Sequence, residues 1–409
     1  MKKILSLLLV LALMLGTCVA LSSCAGKSDK DSGDKDAGKS EETLKVGFIF
    51  LHDENSTYDL NFINAAKAAC EAAGVESVMK TNIPEDSSCY EAAADLADSG
   101  CDIVFADSFG HESYMLQAAK EYPDVQFCHA TGTTAHTEKL DNFHNAFASI
   151  YEGRYLAGIA AGMKLNEMIA AGDFKADEAK IGYVGAFTYA EVISGYTAFF
   201  LGARSVCPTA TMEVQFTGSW YDETAEKEAA TTLINRGCKL ISQHADSMGA
   251  PTACETAGVP NVSYNGSTVA ACPNTFIVSS RIDWTPYFNY IIDCVKNGKA
   301  IDTDWCGGIA EGSVLLTDVN EQAAAKDTQK ALDEAKAKFA DGSLKVFDTA
   351  TFTVDQKTLT SYKADVDTDA NYTADTEVIA DGYFHESEYR SAPYFDLQID
   401  GIERLNEKF

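Results

Sequence analysis

The sequence predicts an α/β protein made of two doubly wound lobes. Three observations carry that expectation. Short apolar β-type runs alternate with Ala-rich helical runs from residue 45 onward. The alternation restarts after a helix at Ser149 to Met163. One strand unit is also echoed: Gly100-Cys101-Asp102-Ile103-Val104-Phe105-Ala106-Asp107-Ser108 resembles the run from Gly237 to Ser247. Strand–helix–strand alternation implies a parallel sheet with right-handed crossovers, and two such series imply two lobes.

In the first series, Lys45 to Leu51 (KVGFIFL) is a strand. Asn61 to Ala73 is a helix with Phe62, Ala65, Ala66, Ala69 and Ala73 on one face and Gly74 as its stop. Tyr90 to Ser99 is a helix ended by Gly100, and Cys101 to Ala106 is a strand. Ser113 to Tyr122 is a helix ending before Pro123, and Val125 to His129 is a strand. In the second series, Ala179 to Ala186, Met212 to Phe216, Lys239 to Gln243 and Asn261 to Tyr264 are strands. Glu191 to Leu201, Glu223 to Asn235 and Gly249 to Ala257 are the helices between them. A last amphipathic helix covers Ala331 to Ala340. Asp348 to Phe409 is rich in Asp, Thr and Tyr with weak periodicity, and reads as an appended surface segment.

The N-terminus gives an address. A basic start, Met1-Lys2-Lys3, precedes an apolar run from Ile4 to Thr17, too short for a comfortable span. Leu21-Ser22-Ser23-Cys24 follows and resembles a lipobox, with Cys24 as the lipidated residue; an ordinary secretory leader with an incidental cysteine is the alternative. Ala25 to Thr43 is too polar to bury a core and reads as a tether. Lipid would then be the membrane attachment, at the outer face of the cell membrane. A net charge of −29 argues against nucleic acid as a partner. Of the 12 cysteines, none forms a C-x-x-C pair. Cys70, Cys101, Cys128, Cys207, Cys238, Cys254 and Cys294 lie in or beside apolar patterns and read as small buried hydrophobes.

In open α/β sheets ligands sit beyond the carboxyl ends of the strands, so the echoed Asp107 and Asp246 would approach one cleft from opposite sides. Large aromatics gather in the same places. Phe109, Phe187 and Trp220 follow strands, Trp284 follows Phe276 to Ser279, and Trp305 precedes Cys306-Gly307-Gly308. As a group they suit plates that sandwich a flat ligand. Trp220 and Trp284 are expected to be partly solvated plates, with Trp284 at the cleft floor. Glu191, heading the helix after Phe187, is a further ligand-binding candidate. Asp246 and Asn265, at neighbouring strand ends, are candidates for reading the ligand's polar edge. Nothing matches a phosphate-loop, dinucleotide or nucleophile-elbow motif, and the seven histidines form no H-x-x-x-H pair. No enzyme, metal site or cofactor is expected.

These motifs resemble the basic membrane protein (BMP) family of substrate-binding lipoproteins, from about Leu44 to about Asp348. The resemblance rests on "DIVFADSFG" (Asp102 to Gly110), "YPDVQFCHATG" (Tyr122 to Gly132), "YEGRYLAGIAAG" (Tyr151 to Gly162), the run Ile181 to Val206, "SWYDETAEKEAA" (Ser219 to Ala230), "QHADS" (Gln243 to Ser247), "DWTPYF" (Asp283 to Phe288) and "WCGG" (Trp305 to Gly308). It implies a type I periplasmic-binding fold, two Rossmann-like lobes with ligand in the cleft, and an importer for purine bases or nucleosides with ABC permease and ATPase partners. It also implies crossings near Phe143 to Phe147, Ser279 to Trp284 and Trp305. The expected parts are a leader (1–23), a tether (24–43), a first lobe (44–146 plus about 281–304), a second lobe (147–280 plus about 305–347) and the appended segment (348–409), acting as a monomer. Where a related branch has a stacking tryptophan, this chain has Ser56, so Tyr58 or Phe109 would have to serve. Asn265 stands where the family often has Asp. A sensing or adhesive surface lipoprotein, or a binder of another planar heterocycle such as a flavin, are the alternatives.

Overall fold

The computed structural model describes residues 43–407. The leader, Cys24 and the tether up to residue 42 lie outside the described residues.

The first sheet has six strands. In chain order they are β1 (Lys45–Ile49), β2 (Glu76–Lys80), β3 (Ile103–Ala106), β4 (Gln126–Ala130), β5 (Phe143–Ala148) and β11 (Asp304–Gly307), arranged β11-β5-β4-β3-β1-β2. Every pairing in it is parallel. Helices α1 (Thr57–Ala73), α2 (Ser87–Asp98), α3 (Glu112–Glu121) and the single turn α4 (Ala135–Glu138) link these strands. Parallel strands covered on both faces read as continuous apolar runs, which is why β1 and β3 stand out in the sequence. β2 does not: it is an edge strand with the half-exposed sequence ESVMK.

The second sheet runs β12-β10-β9-β8-β6-β7-β17. Its members are β6 (Lys180–Gly185), β7 (Thr211–Phe216), β8 (Leu240–Gln243), β9 (Asn261–Tyr264), β10 (Phe276–Ile282), β12 (Val314–Leu316) and β17 (Ile402–Arg404). β12 pairs antiparallel to β10, and the other pairings are parallel. Around it lie α5 (Ile150–Ala171), α6 (Ala190–Val206), α7 (Glu223–Asn235), α8 (Gly249–Ala257) and α10 (Thr328–Ala340). α5 and α6 pack with their backbones nearly touching. A Cβ on Gly158 would lie 2.0 Å from the Phe199 carbonyl, and one on Gly202 would lie 2.0 Å from that of Tyr155.

The chain passes between sheets after β5, between β10 and α9 (Thr285–Lys296), and between β11 and β12. The expected boundaries at 146/147 and 304/305 therefore cut through β5 and β11, both of which belong to the first sheet. The segment after 347 also differs from the surface appendage expected. Phe352, Phe384, Tyr394 and Phe395 are buried in the second-lobe core, with Phe347 and Phe395 stacked at 4.4 Å. Two short hairpins, β13 (Lys363–Ala364) with β14 (Thr376–Glu377) and β15 (Ile379–Ala380) with β16 (Tyr383–Phe384), lead to β17 beside β7. Strands this short leave no readable period. Ten cysteines are free thiols and all but the half-buried Cys306 are buried, so they do pack as small hydrophobes.

Candidate functional site

The carboxyl ends of both sheets face one cavity, whose empty space, part of it open to solvent, is about 380 Å³. From the first lobe, the turns after β1, β3 and β4 supply His52, Tyr58, Asp59, Ser108, Phe109 and Thr131. From the second, the turns after β6 to β9 supply Glu191, Trp220, His244, Asp246 and Tyr264. The lobes meet around this space. Thr57 donates its backbone N–H (3.2 Å) and its Oγ1 hydroxyl (3.1 Å) to the Asp246 carbonyl. Asn61 Nδ2 donates to the Asn265 carbonyl at 3.1 Å. Phe109 stacks on Tyr189 with ring centroids 5.0 Å apart. Helix α1 can approach so closely because Ser56 caps it: the Ser56 hydroxyl accepts from Asp59 N and donates to Asp59 Oδ2 at 2.5 Å.

Two buried carboxyls at the cavity, Asp59 and Asp246, and a third beneath its floor, Asp107, set its polarity. Burial would raise Asp59, but hydrogen bonds from His52, Asp107 and Ser56 outweigh it and hold this acid below its usual range. Burial, with the Asp59 charge beside it, pushes Asp107 far above the usual range. The pair therefore carries one negative charge and one proton. Burial, aided by the charges of Asp59, Glu226 and Glu191, also pushes Asp246 far up. An ionised carboxylate only accepts hydrogen bonds and a protonated one also donates, so this floor offers both.

A buried chain of side chains supports the second-lobe wall. Burial depresses the His244 pKa, which keeps the imidazole neutral. Arg154 Nη2 donates to His244 Nδ1 at 3.0 Å, so the ring proton sits on Nε2 and is donated to Glu191 Oε1 at 3.0 Å. The Arg154 guanidinium, 1 % exposed, lies 3.2 Å over the Tyr264 ring and donates to the Gln243 carbonyl. Arg154 thus fixes a histidine tautomer, a carboxylate and an aromatic face together.

Of the candidates from the sequence, Tyr58, Phe109, Glu191, Trp220 and Asp246 line the cavity. Tyr58 also anchors itself, its hydroxyl donating to the Asp107 carbonyl at 2.9 Å. Phe187 stands one layer back, edge-on to Trp220 at 4.9 Å. Asn265 also stands behind the wall, with φ of 64° in the left-handed region, and its Nδ2 donates to Asp246 Oδ1 at 3.0 Å. Trp284 departs from expectation. It is 1 % exposed and stacks on Phe62 at 4.4 Å inside the first-lobe core, not on the cavity floor. The reason is the crossing: Pro286 starts α9 as expected, but α9 packs on α1 and carries Trp284 beneath it. Asp107 is fully buried beneath the floor, where its Oδ1 accepts from Leu51 N. His52, Asp59, His244 and Tyr264 line the cavity without having been candidates. His52 and His244 stand just past strand ends and Tyr264 closes β9, which was the available signal; Asp59, in the first turn of α1, carried none.

A two-lobed α/β body with a cavity at the facing strand ends is the architecture of the type I periplasmic-binding fold. Solved structures agree in fold. A solute-binding protein from Aeropyrum pernix K1 superposes with a TM-score of 0.63 at 19 % identity, covering 77 % of this chain and 94 % of that one. One from Conexibacter woesei gives 0.60 at 21 % identity, covering 74 % and 98 %. The family is fixed by sequence. The model of the Bmp family, ABC transporter substrate-binding proteins of the PnrA-like type, matches residues 51–344, and the chain belongs to that family. A purine-binding protein of Brucella abortus is 31 % identical over 316 residues, covering 76 % of this chain and 85 % of that protein. A Haloferax volcanii protein named as a glucose-binding ABC transporter component is 34 % identical over 247 residues, but covers 58 % and 59 %. The chain is therefore an ABC transporter solute-binding protein and not an enzyme. No helix among the described residues is long and apolar enough to cross a membrane.

Proposed function

We propose that this protein captures a purine base or nucleoside outside the cytoplasm and delivers it to ABC permease and ATPase subunits, held at the membrane by lipid on Cys24. The observation that carries the reading is the cavity itself. The rings of Tyr58, Phe109, Trp220 and Tyr264 face it, and Asp59, Glu191 and Asp246 supply polar edges. A fused heterocycle offers two flat faces for the rings and a rim of N–H and ring-nitrogen groups for the acids. The similarity to a purine-binding protein over most of both chains supports the same reading. Titration calorimetry against adenine, guanine, hypoxanthine, their nucleosides, riboflavin and glucose tests it. Micromolar or tighter binding of a purine is expected, and binding of glucose with no fused-ring compound overturns it. For the anchor, Cys24→Ala should move the protein from the membrane fraction to the soluble fraction.

A further inference from the structure

Beside the aromatic cavity lies a second chamber of about 580 Å³, open at its mouth. It shares Phe109, Glu191 and Trp220 with the first, and its far side is closed by Arg390, Ala392 and Pro393. Those last three residues come from the C-terminal segment, beyond the family match that ends at residue 344. The segment is firmly held there. Ser391 N donates to Asp304 Oδ2 of β11 at 3.0 Å, on the first-lobe side. The buried Glu386 accepts from Ser194 of α6 at 2.5 Å, on the second-lobe side. The segment thus walls the cleft from both lobes.

Arg390 is the cation of this chamber. It is half-buried, and Nη1 and Nε donate to the carbonyls of Asp365 and Ala392 at 3.0 and 3.3 Å. Among the described residues no carboxylate lies in ion-pair distance of it. A guanidinium has five N–H donors, so donors remain for a ligand. Burial works against its charge, and the more distant charges of Asp304, Asp365 and Glu112 offset this only in part, so a bound anion would add to them. The start of α6 opens onto the same chamber at Tyr189 and Ala190, with no side chain capping it. Uncapped N–H groups add to the favourable field for an anion. Glu191, the one acid in the lining, is turned to His244.

We propose that this chamber is a second subsite, taking an anionic arm, phosphate or carboxylate, attached to the ring system held in the first cavity, with Arg390 as its counter-charge. The inference rests on the purine reading above and extends it: the preferred ligand is a nucleotide-like or carboxylated nucleoside. Only a forked cation pairs both oxygens of such a group.

The test is calorimetry on the intact protein with adenosine, guanosine and inosine, their 5′-monophosphates, and adenosine-5′-carboxylic acid. An anionic derivative of the bound nucleoside is expected to bind about tenfold more tightly than the parent. The phosphate and carboxylate arms of the panel identify which anion fits. Arg390→Gln should bring that ratio to about one, and Arg390→Lys should retain part of it. Thermal melting without ligand checks that both variants fold; the Lys variant serves if the Gln variant does not. If the nucleoside binds and neither anionic form binds better, or if the ratio survives Arg390→Gln, the subsite is wrong while the purine reading stands. If no member of the panel binds, the subsite falls, and binding of the free bases adenine, guanine and hypoxanthine decides whether the purine reading stands.

Discussion

The loops after β7 and β10 each carry a tryptophan a few residues past a strand end and just ahead of a helix, yet the two rings meet opposite surroundings. Trp220 stands at the cleft, with Phe187 at 4.9 Å and His244 at 6.4 Å. Trp284 is sealed between Phe62, Phe105 and Phe147 at 4.4, 5.9 and 6.3 Å. The difference lies in where the chain goes after each loop. After β7 it stays in its own lobe, and Asp222 caps α7, accepting from Ala225 N, so the turn before it projects over the sheet end. After β10 it changes lobes, and the ring that leads it across becomes part of the receiving core. A strand end marks a site only where the chain returns to the same sheet.

That contrast predicts its own largest effect. Trp284→Ala should cost about 3–5 kcal/mol of unfolding free energy by denaturant titration, since it empties a packed core site. Trp220→Ala should leave unfolding nearly unchanged and weaken ligand binding by about 1–3 kcal/mol. Reversed outcomes would break the comparison.

Next in size is Asp246→Ala. α8 starts after Met248 with no side-chain cap, and it is the Ser247 hydroxyl, not the Asp246 carboxyl, that accepts from Gly249 N at 3.0 Å. Removing the carboxyl should therefore weaken ligand binding roughly tenfold, by stranding a ligand donor, while the melting temperature of the free protein barely moves. A large loss of melting temperature with normal affinity would make Asp246 structural.

The smallest effect sharpens the second-lobe side. Burial raises Glu226 and Glu386 from 4.5 to about 7. The folded protein therefore holds protons that the unfolded chain has released, and the stability these acids contribute below about pH 4.5 is lost as pH rises through 7. Melting temperature should decline over that window, and Glu386→Gln should flatten the decline. An unchanged slope in the Gln variant would show that Glu386 stays ionised.

The repeated βα units were legible because buried parallel strands are apolar throughout and several of their helices, α1 and α8 among them, end on glycine. The strand-end logic also located Trp220, Asp246 and Glu191. Three features were not legible. The lobe crossing that buries Trp284 depends on which sheet the next element joins, which no local pattern encodes. Arg154, near the start of α5, reads as an ordinary helical arginine until α5 is packed against α6 and β10, which brings its guanidinium to the ends of β8 and β9. The C-terminal segment hides its core role because Phe347, Phe352, Phe384 and Phe395 are scattered among polar residues and held by strands of two or three residues.

The central claim is that ligand sits against Trp220 between the lobes. Intrinsic fluorescence during titration with the purine bound most tightly tests it, because the chain has only three tryptophans. The account predicts that the ligand-induced change in emission is largely lost in Trp220→Phe and kept in Trp284→Phe. A change that persists in Trp220→Phe and disappears in Trp284→Phe would contradict it.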